Sequence, residues 1–301
     1  MIISYVDGAE VVVSHDGIEL ASYVHRPDPE QFEAPKPYLH PLRTVAGDVV
    51  TNYRPHDHRW HKGLQLTCTE LSGHNLWGGH TYVDGEGYVA LDNVGCMAPI
   101  GEIVAETDAS GGVLLEHELR WRSAHGDGLV AEHRSLRFAE VDVARRAWSL
   151  EWRSELENIT TATLSFGSPA TRGLTGSGYS GLWWRGPRSF TGGRVITATD
   201  GETSAADARG TDAAWLAFVG DHDGVNRSST LVFEPITDDG RFETRWFVRS
   251  EEFAAVNPSW AFDRTFELEP GASVRVGYRV TVVDGAWGRA EIEEWRRGGA
   301  R

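Results

Sequence analysis

Cysteine is almost missing from this 301-residue chain: Cys68 and Cys96 are the only two. Two thiols, neither in a Cys-x-x-Cys pair, cannot build a disulfide framework. Basic charge is scarce as well. Lys and Arg number 29 against 44 Asp and Glu, and the formal net charge of −15 excludes a non-specific nucleic-acid binder, which needs a basic face. The same charge opposes docking on an anionic membrane. No apolar run reaches the roughly 18 residues that a membrane-crossing helix requires. The N-terminus, MIISYVDGAEVVV, has no basic region ahead of a long apolar core and does not read as a secretory signal. No phosphate loop follows a strand, and the Gly176–Gly178 spacing lies outside any βαβ pattern. No low-complexity linker divides the chain. The expectation is one cytoplasmic domain over residues 1–301, with no nucleic-acid or membrane partner.

Helical periodicity is rare too, and alternation takes its place. Asp-Gly, the strongest short hairpin signal because both turn residues must accept positive φ, occurs eight times, with Asp at 7, 16, 84, 127, 200, 223, 239 and 284. The first two turns separate Ile2–Val6, Ala9–Ser14 and Ile18–Val24, an antiparallel meander. Further strands are expected at Leu64–Thr69 (half-buried), Gly101–Thr107, Val113–Ser123, Leu129–Phe138, Ala147–Glu157, Trp215–Val219, Ser229–Phe233 and Val274–Val282. Arg26–Pro37, with four prolines, is a loop. Ser165–Phe190 is so rich in glycine that it reads as a long ordered loop carrying Tyr179, Trp183, Trp184, Arg172, Arg185 and Arg188. Only Ala286–Arg297 looks helical, with basic residues in its last turn. The fold class is therefore all-β: a large antiparallel two-sheet sandwich with a short C-terminal helix.

Histidine is concentrated where chemistry is expected. Six of the twelve histidines lie between Pro37 and Asp84, at His40, His56, His58, His61, His74 and His80, interleaved with Arg43, Arg54, Arg59, Lys62, Trp60 and Trp77. Imidazoles supply both base and acid near neutral pH without a large pKa shift, and tryptophan faces stack on sugar rings. These residues point to a carbohydrate-active enzyme of the mutarotase, epimerase, lyase or hydrolase type, with a base and an acid on opposite sides of a small-molecule sugar. His58 and His61 form the expected acid–base core, His40 and His80 assist, and Arg43 orients the substrate. His56, Trp77, Arg172, Trp184 and Arg185 are the expected substrate-binding residues. His56 and His58 share a face if the chain is extended there, whereas His61 needs a turn to join them. Asp57 and Asp84, the only acids near enough for carboxylate-pair hydrolysis, read as turn residues. Two alternatives stay open: a zinc, copper or iron site on His56, His58 and His61 with His40 or His80, and a non-catalytic carbohydrate-binding protein. The preferred reading uses no metal and no cofactor.

The pieces PYLHPLRT, PHDHRWHKGL, NLWGG, GYSGLWWRGP and RWFVR resemble, over nearly the whole chain, an uncharacterised bacterial family of the DUF6807 type that is labelled methane-oxygenase-like (PmoA-like). The resemblance implies a role in carbohydrate catabolism and a shape similar to the β-sandwich of sugar mutarotases and carbohydrate lyases. True methane oxygenase subunits are multi-helix membrane proteins, and this chain has no such span.

Overall fold

The computed structural model describes residues 1–139, 141–236 and 239–298. Two large antiparallel sheets face each other across one core. The first has eight strands in the order Ile2–Val6, Glu10–His15, Ile18–Val24, Tyr38–Leu42, Leu64–Thr67, Gly181–Arg185, Ala255–Ser259 and Arg245–Arg249. The second has nine, and its central strand Ser273–Asp284 pairs with Ala147–Asn158 on one side and Ser228–Pro235 on the other. The all-β sandwich with a short C-terminal helix, Arg289–Gly298, is the architecture present.

Period-two alternation explains the packing. In Gly181–Arg185, Leu182 and Trp184 join the core between the sheets, while Trp183 belongs to a separate cluster on the opposite face. In Arg245–Arg249, Trp246 and Val248 point into the core and Phe247 points away. Each sheet therefore has an apolar outer patch, and each patch is covered. The outer face of the nine-stranded sheet carries Ile196, Trp215, Ala217 and Val232, on which Ile292 of the C-terminal helix packs. The outer face of the eight-stranded sheet is covered by the loops around residues 53–63 and 72–80.

The turn chemistry matches the sequence. Asp7–Gly8 and Asp16–Gly17 have positive φ at both residues (46° and 68°, 48° and 78°), as a two-residue hairpin with right-handed strand twist demands. Asp284–Gly285 instead leads towards the tail helix, where Asp284 pairs with Arg146. Two expectations need correction. Leu64–Thr67 is buried along both faces, because loops cover its outer side, and so is not half-buried. Ser165–Phe190 is not a continuous loop. Gly181–Arg185 is an interior, fully buried strand of the eight-stranded sheet, and the glycines lie at its ends, where Gly178 and Gly186 admit Phe262 and Trp184 too close for a Cβ.

Candidate functional site

A cavity of about 290 Å³ opens on the outer face of the eight-stranded sheet. Trp183 and Phe247 project from the strands into it. Trp60, Trp77, Gly78, His58, His61 and His80 come from the covering loops, and Tyr88, Tyr179, Arg249, Glu252 and Phe253 complete the lining. The indole N–H groups of Trp60 and Trp183 are buried without hydrogen-bond partners among the described residues.

The loops are anchored from below by a buried carboxylate. Glu33 is fully buried, pairs with Arg54, and lies 3.0 Å from Lys62 Nζ. Burial pushes its pKa up, but the hydrogen bonds from Arg54 and Lys62 outweigh that, and it stays below its ordinary value. Beside it, buried Lys36 donates to the carbonyls of Ala34 (2.9 Å) and Trp77 (2.8 Å). Asn75 Oδ1 accepts from the backbone N–H groups of Trp77 and Gly78, both at 2.9 Å. Gly78 and Gly79 then take φ of 103° and 69°, and Trp60 lies against them so closely that a Cβ on Gly79 would meet its ring at 2.6 Å. Glycine is required there on both counts.

Two successive tight turns set the imidazoles: His58 N–H donates to Pro55 O and His61 N–H to His58 O, each at 2.9 Å. The chain is therefore not extended at 56–58, and His56 does not share a face with His58. Instead the rings of His58 and His61 stack with centroids 4.8 Å apart at 29°. His58 Nδ1 lies 2.9 Å from Asp57 Oδ2. A carboxylate only accepts, so Nδ1 carries a proton, and in the neutral ring Nε2 is the lone-pair nitrogen. His61 Nδ1 lies 3.3 Å from Arg185 Nη1. A guanidinium only donates, so His61 carries its proton on Nε2. Burial, and after it the Arg185 charge, holds the His61 pKa well below the ordinary histidine value. Asp57 is lowered despite partial burial by its bonds to His58 and to its own backbone. The stacked pair thus presents one acceptor and one donor from neighbouring rings rather than facing groups across a ring.

Of the sequence-predicted residues, His58, His61, His80 and Trp77 line this cavity, and Arg185 touches it through His61. His56 is 82% exposed and accepts from Arg188 at 3.1 Å. His40 lies elsewhere, stacked on Tyr53 at 5.1 Å and bonded to Thr51 at 2.9 Å, and burial, with Arg43 nearby, lowers its pKa to about 4. Arg43 donates to Gly47 O. Arg172 pairs with Glu70. Trp184 is a core residue whose N–H goes to Val50 O. Its neighbour Trp183, 4.9 Å from His61, is the indole on the cavity face, because adjacent strand residues point to opposite sides. Tyr179, Phe247, Arg249 and Phe253 were not among the expected site residues. The RWFVR segment, mixing ring and guanidinium, was the available signal for two of them.

The metal alternative finds no ligand set: among the described residues no three His, Cys, Asp or Glu side chains are grouped to hold a metal ion. Also among the described residues, no helix is long and apolar enough to cross a membrane.

No curated protein matches the chain. Among solved structures, the crystal structure of a proposed aldose 1-epimerase from Klebsiella pneumoniae subsp. pneumoniae is similar at 10% identity, with a TM-score of 0.37, covering 65% of this chain and 56% of that one. The match thus spans little more than half the length of that protein. The model of a family of unknown function, DUF6807, matches residues 10–296, and the chain belongs to that family.

Proposed function

We propose that the chain is an enzyme that transforms a small carbohydrate in the aromatic cavity by acid–base chemistry. The observation that carries this reading is the stacked His58–His61 pair, their Nδ1 atoms held by partners of opposite charge, lining a cavity walled by Trp60, Trp77 and Trp183. Indole faces take the apolar face of a sugar ring. His58 Nε2 is the base, with Asp57 stabilising the imidazolium that forms. His61 Nε2–H is the donor to an adjacent oxygen on which charge develops. Base and donor stand side by side, so the reactions they serve best move a proton between neighbouring atoms. Mutarotation and aldose–ketose or epimerase chemistry through an enediol are of this kind. Elimination or hydrolysis with acid and base across the ring is less well served.

The test is a screen of the purified protein against aldoses, 3-keto sugars and glycosides, with His58→Gln and His61→Gln alongside. Turnover by the wild type that both variants lose supports the reading. A second reading, sugar binding without catalysis, is favoured by the aromatic walls alone, and binding without any turnover would select it.

A further inference from the structure

The cavity does not end at Arg249. Arg249 and Glu252 also line an adjoining groove of about 610 Å³, whose other charged residues are Arg194, Arg209, Glu202 and Glu251. Three guanidiniums gather on two rings at this junction. Arg209 and Arg249 lie 5.2 and 5.7 Å from the Phe247 centroid, and Arg249 and Arg185 lie 5.4 and 3.5 Å from that of Phe253. Most arginines of this acidic protein are matched by carboxylates, but of these three only Arg249 has a carboxylate within ion-pair distance among the described residues. Among the described residues, Arg209 bonds only to Val248 O, at 3.3 and 3.0 Å, and Arg185 only to His61, its Nε buried and unpartnered. Arg249 pairs with Glu252 at 2.9 Å, but the Glu252 side chain is 74% exposed. An exposed pair of that kind contributes little and is readily exchanged for a better anion. Glu252 also sits at φ 62°, a conformation a non-glycine residue adopts at some cost and one that gathers at functional positions. Burial and then the Arg249 charge hold Arg209 below the ordinary arginine value, and burial, opposed by the Asp57 carboxylate and aided by Arg188 and Arg249, brings Arg185 to about 10.

We propose that this edge of the cavity is an anion subsite, so that the substrate is an acidic carbohydrate whose ring lies on the tryptophans and whose carboxylate or phosphate is held by Arg249, with Arg209 behind it. The inference rests on the carbohydrate reading above and adds the charge class of the ligand. In a chain of net charge −15, a local cluster of under-matched guanidiniums both attracts an anion and fixes it by charge-assisted hydrogen bonds. Glu252 is the side chain such an anion displaces.

The experiment compares glucose, glucuronate and glucose 6-phosphate by calorimetry and by quenching of tryptophan fluorescence. It uses the full chain, Arg249→Gln and Arg209→Gln, with folding checked by circular dichroism. At least one anionic sugar is expected to bind ten-fold or more tighter than glucose, and which one does so tells carboxylate from phosphate. The advantage is read as the ratio of anionic-sugar to glucose affinity within each variant, and Arg249→Gln is expected to bring that ratio close to one and Arg209→Gln to reduce it. Glucose binding as tightly as both anionic sugars overturns the anion subsite and leaves the carbohydrate reading in place. An advantage that survives both substitutions also overturns it. Absence of binding by all three sugars overturns both.

Discussion

His58 and His61 stack at 4.8 Å with their Nδ1 atoms held by opposite kinds of partner, a carboxylate on one and a guanidinium on the other. One relationship therefore fixes two tautomers, and the pair is prepared to accept a proton and to donate a hydrogen bond without either ring turning. Arg185 is on this account a positioning residue. Replacing it with Gln removes the charged guanidinium that reaches His61 Nδ1 and fixes its tautomer, and nitrogen-15 NMR of the imidazoles reads the result directly. Wild type is expected to show His61 as the Nε2–H form across pH 6–8. Arg185→Gln is expected to show a tautomer mixture or a titration moved upward, since burial remains but the neighbouring charge is gone. An unchanged His61 signal would contradict the assignment.

Trp183 and Trp184 separate binding from stability. Trp183→Ala opens the cavity wall and is expected to weaken sugar binding ten-fold or more. Trp184→Ala leaves a hole in the core and is expected to cost about 3–5 kcal/mol, read by urea denaturation. The opposite allocation of effects would place the cavity on the wrong face of the sheet.

Stability should fall on mild acidification. His61, His117 and His40 are neutral in the fold because burial lowers each pKa, to about 2 for His117 and about 4 for His40. In the unfolded chain they take up protons below about pH 6.5, so the unfolded state binds more protons there. Their contribution is present above that pH and is lost as pH falls towards the folded values. Each group that is charged only when unfolded adds about 1.4 kcal/mol per pH unit to the slope. His133, raised by Glu118, works against them from the surface. Urea unfolding at pH 7.5, 6 and 5 is expected to show a steady loss before the carboxylates protonate; a flat profile would contradict the neutral assignments.

Glu33→Gln tests the support beneath the loops. The substitution leaves Lys62 and Arg54 without their buried counter-charge, which costs about 3–5 kcal/mol where such pairs are fully desolvated. It is also expected to weaken sugar binding, because Trp60 and Trp77 ride on the loops that Glu33 and Lys36 anchor. Loss of stability with unchanged binding would show the anchor to be independent of the site.

Much of the fold was legible because alternation and Asp-Gly turns are local signals. Asp7–Gly8 and Asp16–Gly17 set their hairpins whatever the rest of the chain does. Gly181–Arg185 was not legible as a strand, since its flanking glycines report close approaches by Trp184 and Phe262, contacts that exist only after folding. The site was half legible. The histidine stretch held His58, His61, His80 and Trp77, but spacing alone also admitted His40, whose ring the fold sends to Tyr53. Choosing Trp183 over Trp184 needed the phase of a strand not yet recognised. Arg249 and Phe253 come from a distant hairpin, Arg245–Arg249 with Ala255–Ser259, that reaches the cavity through the pairing of Ala255–Ser259 with Gly181–Arg185.

The most direct measurement is proton exchange followed by NMR in deuterium oxide, with sugars from the aldose and 3-keto classes, for the wild type, His58→Gln and His61→Gln. The expected result is accelerated anomer interconversion or deuterium incorporation for at least one sugar, reduced on the order of a hundred-fold in each variant with circular dichroism unchanged. Equal rates in the wild type and both folded variants would contradict the assignment of the stacked histidine pair as the acid–base centre.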